Sequence, residues 1–177
     1  MSQAQALIFG QIKHANKTLA ELKDRHIIFE YNGTKQEFIS STPKFYDNIS
    51  AILYYATEAD RSINKIDKEI LSVLPTSVIL ILVIGDARES VDIETATELG
   101  IAVSDTNSTL TGSLSQEEIE KKALEILDDT LLTNTPANPI NDIEVVEKNA
   151  MERVKGLINS LGTFDEFDVT NGVQFFN

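Results

Sequence analysis

Apolar residues at Ile8, Ile12, Ala15, Leu19 and Leu22 recur at alternating steps of four and three, which is one stripe of an amphipathic helix. The spacing predicts a helix over residues 3–22. Lys13 and Lys17 lie off the stripe, and Lys23 and Arg25 follow where positive charge suits the helix dipole. The next stretch, "HIIFEYNGTKQEF", reads in two ways. Asn32-Gly33 between β-prone runs signals a two-residue hairpin turn. Alternatively, residues 27–31 form one buried strand, "NGTK" is the loop leaving it, and a helix begins near Gln36. Beyond Pro43, helical spacing at Ile49, Leu53 and Ala56, then at Ile63, Ile66, Ile70 and Val73, predicts two helices.

After Pro75, "SVILILVIG" is apolar at consecutive positions and rich in β-branched residues, the pattern of a strand covered on both faces in a parallel sheet. Ser90 is the expected cap of a helix with Asp92 and Glu94 in its first turn, and Gly100 is its stop. "IAVS" then reads as a short strand, completing a βαβ unit. Ser115-Gln116-Glu117-Glu118 is a capping box opening an acidic helix to about Leu132. Asn141 with Glu144 is expected to cap a last helix carrying Ile143, Val146, Ala150, Val154, Leu157 and Leu161 on one face, with Gly162 ending it. The elements add up to a three-layer α/β/α domain over residues 1–162. Its mainly parallel sheet has strands near 27–31, 78–84 and 101–104. Residues 163–177 form an acidic, irregular tail whose Phe164, Phe167, Phe175 and Phe176 are expected to dock on a partner, since so many large apolar groups are costly to leave in water.

With 177 residues and 42% apolar content, the chain can build one real core. No apolar run reaches the roughly 18–20 residues of a membrane span. The N-terminus lacks the charged-then-apolar pattern of a secretory signal. There is no cysteine, hence no disulfide, thiolate chemistry or cysteine-based metal site. The net charge of −13 is uneven: residues 1–85 hold nine acids and nine bases, residues 86–177 nineteen acids and six bases. A locally basic N-terminal side and an acidic C-terminal side suit different partners.

Ligands gather beyond the carboxyl ends of strands in open α/β sheets, which singles out the loops at residues 86–90 and 105–109. Gly85, Gly100 and Gly112 cannot supply a Gly-rich phosphate loop. "DTNSTLTG" is similar to the aspartyl nucleophile motif of haloacid-dehalogenase-like phosphatases, but Asn107 stands where that chemistry needs a second Asp. His14 and His26 are isolated and are read as packing or surface residues. No catalytic residue, cofactor or metal is expected.

Three pieces in order resemble the bacterial-type family of ribosomal small-subunit protein two. They are "IIFEYNGTKQEF", "LPTSVILILVIGDARESVDIETATELGIAVSDTNS" and "TPANPINDIEVVEKNAMERVKGLI", together about half the chain. The resemblance implies a Rossmann-like, non-catalytic component of a small ribosomal subunit. Its expected partners are ribosomal RNA and other ribosomal proteins, with no membrane and no small-molecule substrate. The chain departs from that family in lacking the long helical hairpin and in its negative charge, departures that suit a reduced mitochondrial ribosome. RNA contacts are expected from Lys13, Lys17, Lys23, Arg25, Lys35 and Lys44. Gly33, Thr34, Asp86, Arg88, Asp105, Asn107, Asn141 and Asp142 are expected to form recognition loops. The competing reading is an acidic, cytoplasmic protein-protein interaction module on the same frame, and the phosphatase comes third.

Overall fold

The computed structural model describes residues 3–56 and 63–176, with side chains through Leu161. Strands β1 (Gln5–Phe9), β2 (Ile27–Tyr31), β3 (Ala51–Tyr55), β4 (Leu80–Ile84) and β5 (Ala102–Asp105) form one sheet in the order β2-β1-β3-β4-β5. Every pairing is parallel, in the register Leu7–Phe29, Leu7–Ile52, Ile52–Ile81 and Ile81–Val103. The expected Rossmann-like α/β/α architecture with a mainly parallel sheet is the observed one. Residues 27–31 are a strand and not one arm of a hairpin: Thr34 opens a helix three residues after β2 ends, so the chain never turns back on itself.

Alternation along the strands divides the core in two. Leu7, Phe9, Ile52, Tyr54, Ile81, Val83 and Val103 face one layer, with Phe38, Ile70, Leu71 and Ala96 from the helices. Ala6, Ile8, Leu53, Tyr55, Leu80, Leu82 and Ala102 face the other, with Leu19, Leu22, Ala123, Leu124 and Leu127. Helices α1 (Asn16–Arg25) and α7 (Gln116–Thr133) cover the second face. The first is covered by α2 (Lys35–Phe45), α3 (Lys68–Val73) and α5 (Ile93–Glu98). Two short turns of helix, α4 (Ala87–Ser90) and α6 (Thr106–Thr109), follow β4 and β5. The last helix, α8 (Ile143–Phe176), packs against α5.

Two strands replace predicted helices. β1 occupies the N-terminal part of the expected helix over residues 3–22, of which only the part from Asn16 onward is helical. β3 occupies the expected helix around Ile49, Leu53 and Ala56. Both are short continuous apolar runs, "ALIF" and "AILYY", and a continuous run matches a helical template as well as a buried strand. Burial decides between them, since β1 from Ala6 onward and all of β3 are buried on both faces.

The capping boxes at Thr34/Glu37 and Ser115/Glu118 are both present, the second as expected. Two caps fall elsewhere than expected. Asp92, not Ser90, caps α5, because α4 intervenes and Val91 pairs with Ile66 as a bridge. Asp142, not Asn141, caps α8, its Oδ1 accepting from Glu144 N at 3.0 Å. Gly162 does not stop α8, which runs through it to Phe176. A mid-helix glycine costs only about 1 kcal/mol relative to Ala, too little to end a helix unless the left-handed conformation is taken.

These caps make stability pH-dependent. Hydrogen bonds from the Thr95 backbone and hydroxyl hold the Asp92 carboxyl below its ordinary value, and those from Ser115 do the same for Glu118. A group depressed in the folded state contributes stability that is complete above its unfolded pKa, roughly 4, and is lost as pH falls through the folded value. Urea midpoints should therefore be flat from neutral pH down to about 5 and fall below it. Asp92→Asn keeps an accepting oxygen without titrating, so it should shrink that acid-side fall. An identical fall in wild type and variant would refute the assignment.

Candidate functional site at the carboxyl ends of the strands

The sheet reverses its direction of growth between β1 and β3, and among the described residues polar groups gather both at the mouth between β4 and β5 and at the switch point. The first of these regions is the mouth. Asp105, fully buried at the end of β5, accepts from Ala87 N at 2.9 Å through Oδ2 and from Ser108 N at 2.7 Å through Oδ1. One carboxylate thereby ties the turn after β4 to the turn after β5. Thr106 Oγ1 accepts from Gly85 N at 2.9 Å, and Asn107 N donates to Gly85 O at 3.3 Å, closing the same joint. Asp86 Oδ1 accepts from Arg88 N at 2.9 Å and starts α4. Arg88 and Asn107 are left exposed at the rim. Beside them lies a cavity of about 420 Å³ lined by Thr106, Asn107, Leu110, Gly112, Ser113, Leu114 and Ile119.

The second region is the switch point itself. Gly10 leaves β1 with φ of 103°, and a Cβ there would sit 2.9 Å from Tyr55 Cβ on β3, so the two strands can close up only around a glycine. Behind it, the chain rises through Lys13, His14 and Ala15 into α1. Their three N–H groups point at the carboxylate of Glu120 on α7, which is fully buried. The Tyr55 hydroxyl donates to the same carboxylate at 2.9 Å. A side chain of the protein thus fills the crevice.

The expected recognition residues separate into these settings. Asp86, Arg88, Asp105 and Asn107 come together at the β4/β5 mouth. Gly33 and Thr34 lie far along the sheet at the end of β2, where Thr34 caps α2 and the Tyr31 hydroxyl donates to Thr34 O at 2.6 Å. Asn141 braces the outer edge of β5: its Oδ1 accepts from Val103 N at 2.9 Å, and its Nδ2 donates to Thr97 Oγ1 and Ile101 O. Asp142 caps α8.

The six bases expected to meet RNA do not share a face. Lys13, Lys17, Lys23 and Arg25 lie on the α1 side, whereas Lys35 and Lys44 lie on α2 across the sheet. Acids already claim three of them: Lys23 pairs with Glu30 at 3.3 Å, Arg25 with Asp128 at 2.6 Å, and Lys35 with Asp67 and Glu69 at 2.6 and 2.9 Å. The hydrogen bonds that Lys35 donates to Asp67 and Glu69 raise its pKa. His26 is buried with Nε2 2.7 Å from Asp128 Oδ1. The side chains of Phe164, Phe167, Phe175 and Phe176 lie outside the described residues.

Glu120 and Asp128 escaped the sequence reading because α7 reads as a solvated acidic helix. A usable signal was present: Glu120 falls on the same face as Ala123, Leu124, Leu127 and Leu131, where a carboxylate has no place unless donors await it.

Comparison with known proteins corrects the functional reading. The chain is similar to the 4-methyl-2-oxopentanoate reductase A of Aspergillus oryzae, with 33% identity over 103 residues, covering 57% of this chain and 31% of that protein. It is similar to a 2-hydroxyacid dehydrogenase of Schizosaccharomyces pombe, with 35% identity over 101 residues, covering 56% of this chain and 30% of that protein. Among solved structures, a glyoxylate reductase from Paecilomyes thermophila aligns with a TM-score of 0.53 at 30% identity, covering 59% of this chain and 32% of that one. No family model matches the chain. The matches span about a third of the length of the relatives.

These relatives overturn the resemblance to ribosomal small-subunit protein two, and with it the non-catalytic ribosomal role and the ribosomal RNA and protein partners. The expected lack of a small-molecule substrate falls too, and neither the acidic interaction module nor the phosphatase gains support. The resemblance misled because its most specific piece is strand, capped helix, Leu-Gly-Ile stop and strand, a grammar that parallel α/β units share whatever they do. Among the described residues, no helix is long and apolar enough to cross a membrane.

Proposed function

We propose that this chain is the substrate-side domain of an oxidoreductase that interconverts 2-oxoacids and 2-hydroxyacids. The observation that carries the reading is the one-third identity, over more than half the chain, to two fungal proteins named for that chemistry. Among the described residues, the β4/β5 mouth is a part of the carboxyl edge open to a ligand, whereas Glu120 occupies the switch point. At its rim, the exposed Arg88 guanidinium supplies the fork that pairs with a small carboxylate, and Asn107 supplies both a donor and an acceptor for the neighbouring oxygen.

Reduction of a 2-oxoacid needs a two-electron carrier, typically a dinucleotide. The residues here do not fit one. The strand order is the flavodoxin-like 2-1-3-4-5 and not the 3-2-1-4-5-6 order of dinucleotide-binding sheets. β1 is followed by Gly10-Gln11-Ile12-Lys13 and β4 by Gly85-Asp86-Ala87-Arg88, neither of which contains a G-x-G-x-x-G loop. The carrier therefore belongs to another segment or protein, and this domain binds and orients the acid.

Titrating the isotopically labelled protein with glyoxylate and with 4-methyl-2-oxopentanoate tests this. Saturable amide shifts are expected at Gly85, Arg88 and Asn107. Arg88→Ala should weaken binding by roughly tenfold, the worth of one charge-assisted hydrogen bond. Shifts no larger than those caused by chloride at the same ionic strength would overturn the reading. So would shifts spread over other elements.

A further inference from the structure

The N-terminus of α1 lacks every local device that normally satisfies one. Its cap position is Ala15, which has no side-chain oxygen, and its first turn contains no acid. The three preceding N–H groups are consecutive, and consecutive N–H groups curved toward a common point form a concavity that binds anions. An anion is already seated there. Glu120 Oε2 accepts from His14 N at 2.7 Å and Ala15 N at 2.9 Å. Its Oε1 accepts from Lys13 N at 3.3 Å and from the Tyr55 hydroxyl at 2.9 Å, with Gln116 Oε1 3.2 Å from that hydroxyl. Both carboxylate oxygens are used, and the donors come from residues 65 to 107 positions away in sequence.

We propose that this niche is a carboxylate receptor whose resident ligand is Glu120, so that α7 works as a latch. One side chain closes the crevice at the β1/β3 switch point, supplies the negative charge that α1 lacks, and fixes α7 across β3 and β4. The ligand class is set by the donors. Two oxygens on one carbon, carrying a single negative charge, match the paired acceptance, whereas an amide offers one acceptor and a halide has no second atom for Tyr55. Formate and acetate are the smallest ligands of that kind. They enter when the side chain of Glu120 is cut back and have no room while it is in place. The inference stands on this geometry alone and does not depend on the oxidoreductase reading.

The test compares thermal unfolding of wild type, Glu120→Ala and Glu120→Gln in sodium acetate, sodium formate and sodium chloride at equal ionic strength. Glu120→Ala should melt below wild type in chloride and recover part of the loss in acetate and formate, saturably, as expected for a ligand that binds only the folded state. His14 and Ala15 amides should shift with the same midpoint. Wild type and Glu120→Gln, whose niches are filled, should show no carboxylate-specific gain. If Glu120→Ala does not fold in chloride, refolding is compared in the two salts, and recovery in acetate but not chloride supports the latch. Equal responses of all three proteins, a gain in Glu120→Gln as large as in Glu120→Ala, or no recovery in either salt would overturn it.

Discussion

Asp105→Ala is expected to lower the free energy of unfolding by about 3 kcal/mol, since each buried donor left without a partner costs about 1–3 kcal/mol. Two such donors, Ala87 N and Ser108 N, depend on this one fully buried carboxylate. Asp105→Asn separates hydrogen bonding from simple volume. Its amide keeps one accepting oxygen but turns an NH2 group toward one of the two N–H donors, so it should also destabilise, by less than Ala. Urea unfolding with an unchanged slope would show that native contacts, not the unfolded chain, carry the loss. If Asp105→Ala stays within about 0.5 kcal/mol of wild type, the level of an ordinary surface change, the two turns are held by something else. The same substitution bears on function, because the turn after β4 carries Arg88. If 2-oxoacids bind as proposed, the substitution should blur the amide shifts expected at Gly85 and Arg88, even under conditions where the protein is still folded.

Gly100→Val should be comparably damaging for a different reason. Gly100 follows α5 with φ of 75°, a conformation that costs an L-residue roughly 1–2 kcal/mol and a β-branched one more. A Cβ there would also lie 2.3 Å from both the N and Cα of Ala150 on α8. Because the obstacle is backbone, no rotamer change relieves it, and α8 must move off α5. Strain and overpacking together give a loss of about 3 kcal/mol or more. The disturbance should be confined to one side: amides of Asn149 and Arg153, whose side chains donate to Thr97 O and Leu99 O, should lose protection from hydrogen exchange first. Ala150→Gly in the same chain should restore little, since it removes a methyl and leaves the clashing backbone atoms in place. Wild-type stability of Gly100→Val would show that α8 is not seated on α5 as described.

The two glycines that matter most were read with unequal success. Gly100 was recognised as a helix stop, because a glycine after a periodic run has a local meaning. Its second role, letting α8 approach, depends on a residue 50 positions away and has no local trace. Gly10 fell inside the expected helix over residues 3–22, although it directly follows a buried strand. The site shows the same division. Asp86, Arg88, Asp105 and Asn107 lie together at the ends of β4 and β5, a placement legible from sequence because it needs only the two strands to be recognised. The ribosomal meaning given to them does not stand against the relatives the chain matches, because the grammar of a βαβ unit is shared by proteins of unrelated function.

What the sequence by itself determined are the features whose cause lies within a few residues. The capping box at Ser115 and Glu118 was legible, as were the buried strand of "VILILVI", the stop at Gly100 and the parallel α/β class. Each is set by a hydrogen bond or a burial pattern between near neighbours. The tertiary structure alone decided that "ALIF" and "AILYY" are strands, since a short apolar run becomes one or the other according to what covers its two faces. It also decided that Glu120 belongs to the N-terminus of α1 and Asn141 to the edge of β5. A buried polar group is tolerated only where its partners are, and here those partners are brought by segments tens of residues away.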